Sequence, residues 1–95
     1  MIIMIAEVLT HPGMESGYEA CFRELQGIVA VNEPRTILYQ SGKCREEDRS
    51  YRAVEIFEVQ EAMDFHLESE WLKQGWAKME KCVARLKVTI HDPIA

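Results

Sequence analysis

The chain has 95 residues, of which 47% are hydrophobic and 28% charged, proportions of one globular domain (residues 1–95) too short to divide into two cores and too apolar to stay disordered. A formal net charge of −5 argues against a nucleic-acid partner, which would require a clustered basic surface. No apolar run approaches the roughly 20 residues needed to span a bilayer.

The opening MIIMIAEVL lacks a basic leader-like start and reads as a first strand, Ile2 to Leu9, closed by the turn signal His11-Pro12-Gly13. Along that strand Ile2, Met4, Ala6 and Val8 point one way and Ile3, Ile5 and Leu9 the other, so both faces want burial. From Glu15, Tyr18, Phe22, Leu25 and Val29 recur at helical spacing, with Cys21 and Ile28 widening the stripe. That helix ends near Asn32, because Pro34 blocks its continuation and biases Glu33 to an extended conformation. Thr36 to Gly42 is a second strand, the charged KCREEDRS (Lys43 to Ser50) a solvated hairpin loop, and Tyr51 to Val59 a third strand. On the third strand Val54 and Ile56 share one side while Tyr51, Ala53 and Phe57 share the other.

A helical region runs from about Gln60 to Ala84, broken near Ser69, whose hydroxyl can cap a helix starting at Glu70. Leu72, Trp76, Met79 and Val83 repeat the helical stripe. Leu86, Val88 and Ile90 then alternate with Lys87, Thr89 and His91 as a half-buried strand, and Asp92-Pro93 ends it. The order β-α-β-β-α-β, with its second helix split, predicts an α+β, ferredoxin-like antiparallel sheet with helices on one face. Helices cover only one face, so the second apolar face is expected to meet another copy of the chain in a symmetric homodimer.

His66, in AMDFHLESEWLKQGW (Ala62 to Trp76), is the candidate catalytic residue, since an imidazole titrates near neutrality and can accept a phenolic or α-carbonyl proton. Its bland alternative is a helix histidine bonded to a neighbouring carboxylate or carbonyl. His11 and His91 sit at element ends and should be exposed. Trp71, Trp76, Tyr39 and Val8 are the candidate substrate-binding residues. Indole rings offer a flat apolar wall with one N–H donor, although Trp76 shares the core stripe and Trp71, off it, should be exposed, at the dimer seam or over a pocket mouth. Tyr39 and Tyr51 can donate to a ligand oxygen or simply pack across strands. Glu7 and Glu55 each interrupt an apolar strand, which suggests inward carboxylates paired with Arg52 or Arg85, or pointing at a cavity.

Cys21, Cys44 and Cys82 are odd in number and have no CxxC spacing, so neither a disulfide framework nor a zinc site is suggested and the expected compartment is the reducing cytoplasm. There is no phosphate loop, GxSxG, HExxH, haem-attachment motif or dinucleotide fingerprint, and an enzyme of this kind is expected to work without metal or cofactor.

IIMIAEVLTHPG, FRELQGIV, NEPRTILYQ and AMDFHLESEWLK together resemble the antibiotic biosynthesis monooxygenase domain family over nearly the whole chain, most closely at EPRTILYQ and FHLES. The resemblance implies a dimeric α+β barrel, two ferredoxin-like protomers packed through their sheets. It also implies, from one branch of the family, cofactor-free oxidation of a small aromatic quinol or phenol, with His66 at the place of the recurrent histidine. A haem-degrading branch uses an Asn, a Trp and a His where this chain holds Val8, His66 and Trp76, so that chemistry is not expected. A third branch isomerises a small phosphorylated hydroxy-carbonyl compound, which would want Arg35, Lys43, Arg45 or Arg52 aimed into the pocket. The leading expectation is a quinol monooxygenase-like homodimer. An isomerase and a non-catalytic ligand-binding dimer are the alternatives.

Overall fold

The computed structural model describes Met1–Ala95 and follows the expected order: β1 (Ile2–Thr10), α1 (Glu15–Asn32), β2 (Thr36–Lys43), β3 (Ser50–Phe57), α2 (Gln60–Glu68), α3 (Glu70–Met79) and β4 (Val83–His91). One antiparallel sheet has the order β2-β3-β1-β4. This is the ferredoxin-like arrangement, α+β with the helices on one face. No helix is long and apolar enough to cross a membrane.

Local chemistry accounts for the boundaries. Gly13 takes a positive φ of 81° and its N–H donates to Glu15 Oε1 at 2.9 Å, turning the chain from β1 into α1. The stripe Tyr18, Phe22, Leu25 and Val29 is the buried face of α1, as its spacing predicts. The helix stops at Asn32, and Glu33 leaves helical geometry at φ −125° and ψ 78° ahead of Pro34. At the second break Ser69 is extended and its hydroxyl accepts the Leu72 N–H at 3.2 Å, capping α3.

The last helix is shorter than the run to Ala84 that its periodicity suggests. After Met79 the chain makes one 3-10 turn, Glu80–Cys82, and the β-branched Val83 already opens β4. A stripe ending in Val83 continues into a strand with no change of apolar character, which periodicity cannot register. Where α3 lies on α1, a Cβ on Gly75 would come within 3.0 Å of the Leu25 side chain, so glycine permits that approach.

Alternation sorts the sheet. Met4, Ala6, Val8, Tyr51, Ala53 and Phe57 are buried on the helix side, while Ile3, Ile5, Leu9, Val54 and Ile56 stay only partly covered on the other. Glu7, expected to point inward, lies instead on that outer face, because alternation along β1 sets it opposite to Ala6 and Val8, and it pairs with its cross-strand neighbour Arg52 at 2.9 Å.

Candidate functional site

A cleft of about 310 Å³ opens between the helix-side face of the sheet and helices α1 and α3, at the lower end of the size of small-molecule sites. Fourteen of its 17 lining residues are hydrophobic. Met4, Ala6 and Val8 come from β1, Leu72, Trp76 and Met79 from α3, and Leu86 and Val88 from β4. Leu86 and Val88 are exposed in the single chain, which leaves the cleft open along β4.

The polar end of this cleft is formed by His66 and Glu55, with Glu33 behind the imidazole. His66 is 1% exposed, placed on the inner side of α2 with Ala62 and Met63. Its Nδ1 lies 2.8 Å from Glu33 Oε2 and 3.0 Å from Glu33 Oε1, and its Nε2 lies 3.2 Å from Glu55 Oε1. Both ring nitrogens are therefore engaged by carboxylates. Tyr39 and Phe57 hold the ring from the sides at centroid distances of 5.2 and 5.4 Å. Ser69 fixes the helix end by donating to the His66 carbonyl at 2.7 Å.

Burial alone would drive a proton off such an imidazole, but the Glu33 and Glu55 carboxylates outweigh it and raise His66 to about 9. At neutral pH the ring is an imidazolium, hydrogen-bonded through Nδ1 to Glu33 and ion-paired through Nε2 with Glu55. Burial would likewise raise Glu33, yet hydrogen bonds from His66, Thr36 and Trp71 prevail and hold it below the usual carboxylate range. Thr36 Oγ1 donates to Glu33 at 2.7 Å and Trp71 Nε1 at 2.6 Å. Glu33 is thus saturated and faces the protein. Glu55 stands differently. It is central in the sheet, opposite Met4 on β1 and Tyr39 on β2, lines the cleft, and has His66 as its ion-pair partner.

Of the candidate positions read from the sequence, the structure brings His66, Tyr39, Trp76 and Val8 together around one cleft. Trp71 is not among its lining residues. Its ring packs edge-on against Phe65 at 5.6 Å while its N–H is spent on Glu33, so a position off the core stripe serves the charged network. Tyr39 stacks on Phe22 at 4.9 Å with an interplanar angle of 3°. Burial, reinforced by Glu55, pushes its phenol well above the ordinary tyrosine range, so it remains a neutral donor. Tyr51 is away from the cleft and donates to Glu19 at 2.6 Å. Of the two alternatives read for Glu55 the cavity holds, since it lines the cleft, and the arginine partner does not, since Arg52 projects to the opposite face and is taken by Glu7.

Glu33 is the residue that the sequence reading missed. A carboxylate at the C-terminal end of a helix sits against the unfavourable end of the macrodipole, and that misplacement was the available signal. No group of three or more His, Cys, Asp or Glu side chains is arranged to hold a metal ion.

Residues 1–78 match the model of the family described as antibiotic biosynthesis monooxygenase. No curated protein matches the sequence. Among solved structures, a candidate antibiotic biosynthesis monooxygenase from Caulobacter crescentus superposes with a TM-score of 0.94 at 23% identity, covering 99% of this chain and 90% of that one. A second, from Nitrosomonas europaea, gives 0.90 at 11% identity with full coverage of both chains. A third, from Deinococcus radiodurans, gives 0.88 at 16% identity over 98% of this chain and 92% of that one. At these identities the likeness is one of fold.

Proposed function

The chain belongs to the antibiotic biosynthesis monooxygenase family, and from that premise we propose that it is a cofactor-independent monooxygenase-like enzyme acting on a small aromatic quinol or phenol. The observation that carries this reading is the cleft itself. Its walls are apolar, suited to a flat neutral ring, and a charged network sits at one end to receive a hydroxyl. The chemistry balances without an added reductant. Dioxygen places one oxygen atom on the quinol ring and releases the other as water with two of the substrate's hydrogens, leaving a hydroxyquinone. All four electrons come from the substrate. What the protein supplies is withdrawal of a phenolic proton, which makes the ring electron-rich, and an apolar cleft in which that anion meets oxygen.

The functional unit we propose is a cytoplasmic homodimer. The partly covered face bearing Ile3, Ile5, Val54 and Ile56 supports packing against a second copy, and the cysteines Cys21, Cys44 and Cys82 are free thiols, in keeping with a reducing compartment. An isomerase of a phosphorylated compound has less support, because Arg35, Lys43, Arg45 and Arg52 do not line the cleft.

The test is oxygen consumption by metal-stripped protein against small quinols and polycyclic phenols. Uptake above autoxidation, with one hydroxyquinone formed per dioxygen, is expected. It should be abolished by Ala6→Phe, which projects a ring into the cleft from the central strand. A folded wild type that consumes no oxygen across the panel would sink the oxygenase reading.

A further inference from the structure

Resting on the reading of this cleft as a site for phenols, we propose that Glu55 is the catalytic proton acceptor and that His66 is a positioning residue. The ligand class that follows is a neutral aromatic bearing a free hydroxyl, to the exclusion of anions.

Geometry carries the assignment. His66 is almost wholly enclosed, and each of its nitrogens faces a carboxylate, Nδ1 toward Glu33 and Nε2 toward Glu55. A ligand hydroxyl could reach Nε2 only by displacing the Glu55 carboxylate that lies 3.2 Å from it, and Nδ1 is held by Glu33. Glu33 is held by the imidazole, a threonine hydroxyl and an indole N–H, and is not among the residues lining the cleft. Glu55 lines it, and His66 is the residue it pairs with. The Glu55 side chain is also the more accessible of the pair, 9% exposed against 1% for His66. A carboxylate has two oxygens and room for several donors, and one of those places is left for the ligand.

The step is a proton transfer alone. The ligand's O–H bond breaks, the proton passes to a Glu55 oxygen, and the electron pair stays on the phenolic oxygen. As Glu55 becomes neutral, the imidazolium remains with Glu33 on one side and the new phenolate nearby on the other, so the positive charge of His66 stabilises the product of the transfer. The network before transfer carries two carboxylates and one imidazolium, a net negative charge at the end of an apolar cleft. A carboxylate or phosphate group on a ligand is repelled from it. The one basic side chain lining the cleft, Lys73, is 61% exposed and lies 3.5 Å from Glu70, at the rim.

The experiment compares three probes, 2-naphthol, its methyl ether and 2-naphthoate, by calorimetric or fluorescence titration of the wild-type protein, Glu55→Gln and Glu24→Gln. A hydrogen bond to a charged acceptor predicts that wild type prefers the naphthol over the ether by about 10- to 100-fold. In Glu55→Gln that preference should shrink to a few-fold and the naphthoate should gain affinity, whereas Glu24→Gln, at a surface carboxylate away from the cleft, should retain the preference. The wild-type preference should also be level between about pH 6 and pH 8. If neutral His66 were the acceptor, it would climb about tenfold per pH unit instead. Equal binding of naphthol and ether in the wild type, a preference unchanged in Glu55→Gln, or such a climb with pH would each overturn the assignment, and the wild-type results stand even if a variant fails to fold. Binding and turnover separate the two readings. Discrimination that depends on Glu55 without oxygen uptake removes the oxygenase function and keeps the site, whereas uptake that survives Glu55→Gln keeps the function and removes Glu55 from it.

Discussion

Glu7 on β1 and Glu55 on β3 are the two carboxylates that interrupt otherwise apolar strands, and they sit on opposite faces of one sheet. Glu7 stays 38% exposed at the side chain and pairs with an arginine directly across the ladder. Glu55 is buried, and its partner is an imidazole brought from a helix, with a second carboxylate behind it. The same residue type is a solvated ion pair on one face and part of a buried charged network on the other. The helices make the difference, because α1 and α2 cover the inner face and convert a tolerated charge into one that must be matched.

The comparison breaks most severely at the hidden member of the inner network. Glu33→Ala leaves the His66 ring with one counterion and strips Thr36 and Trp71 of their acceptor. Removing one partner of a buried pair costs roughly 3 to 5 kcal/mol, and urea denaturation should register that loss. A cost below about 1 kcal/mol would mean that water replaces the carboxylate and that the inner face is wetter than its burial implies.

Next in size is the pH dependence of the inner face. The groups facing His66 are Glu33, Glu55 and Tyr39, and the two carboxylates raise its pKa from the ordinary 6.5 to about 9. A raised histidine contributes stability that is fully present below the unfolded-state value and is lost as pH climbs through the folded one. Unfolding free energy should therefore fall by about 2 kcal/mol from neutral pH to just above pH 9, followed by urea midpoints at each pH. Tyr39, with its phenol held high, stays protonated through that window. Stability that is flat across it would show that the ring is neutral and not clamped between charges.

How much of this could be read from the sequence follows from the range of each interaction. The stripe of α1, the cap at Ser69 and the β-α-β-β-α-β order depend on neighbours a few residues apart, and all were legible. So was the face of Glu55, since alternation puts it with Tyr51, Ala53 and Phe57. Its partner was not, because His66 reaches it from a different element and the nearest arginine, Arg52, points the other way. Trp71 was set apart by falling off the α3 stripe. That its N–H would close on Glu33, 38 residues earlier, depends on how α3 lies against the end of α1, which no local pattern encodes. Within the candidate site the sequence reading therefore named His66 and left its carboxylate clamp to the fold.

The smallest effect belongs to the outer face and tests what covers it. Arg52 is 47% exposed at the side chain in the single chain, and a surface ion pair of that kind contributes at most about 1 kcal/mol. For an isolated protomer, Arg52→Ala should shift the urea midpoint very little and independently of protein concentration. In the proposed dimer the outcome differs, because a second copy over Ile5, Val54 and Ile56 would exclude water from the neighbouring Glu7, whose lone charge then costs several times as much. The variant should in that case lose several times more stability than the surface pair would give, with sedimentation showing monomer at concentrations where the wild type is still paired. A small, concentration-independent effect would leave Glu7 and Arg52 in solvent, and the contrast with Glu55 would then be between a buried face and a bare one.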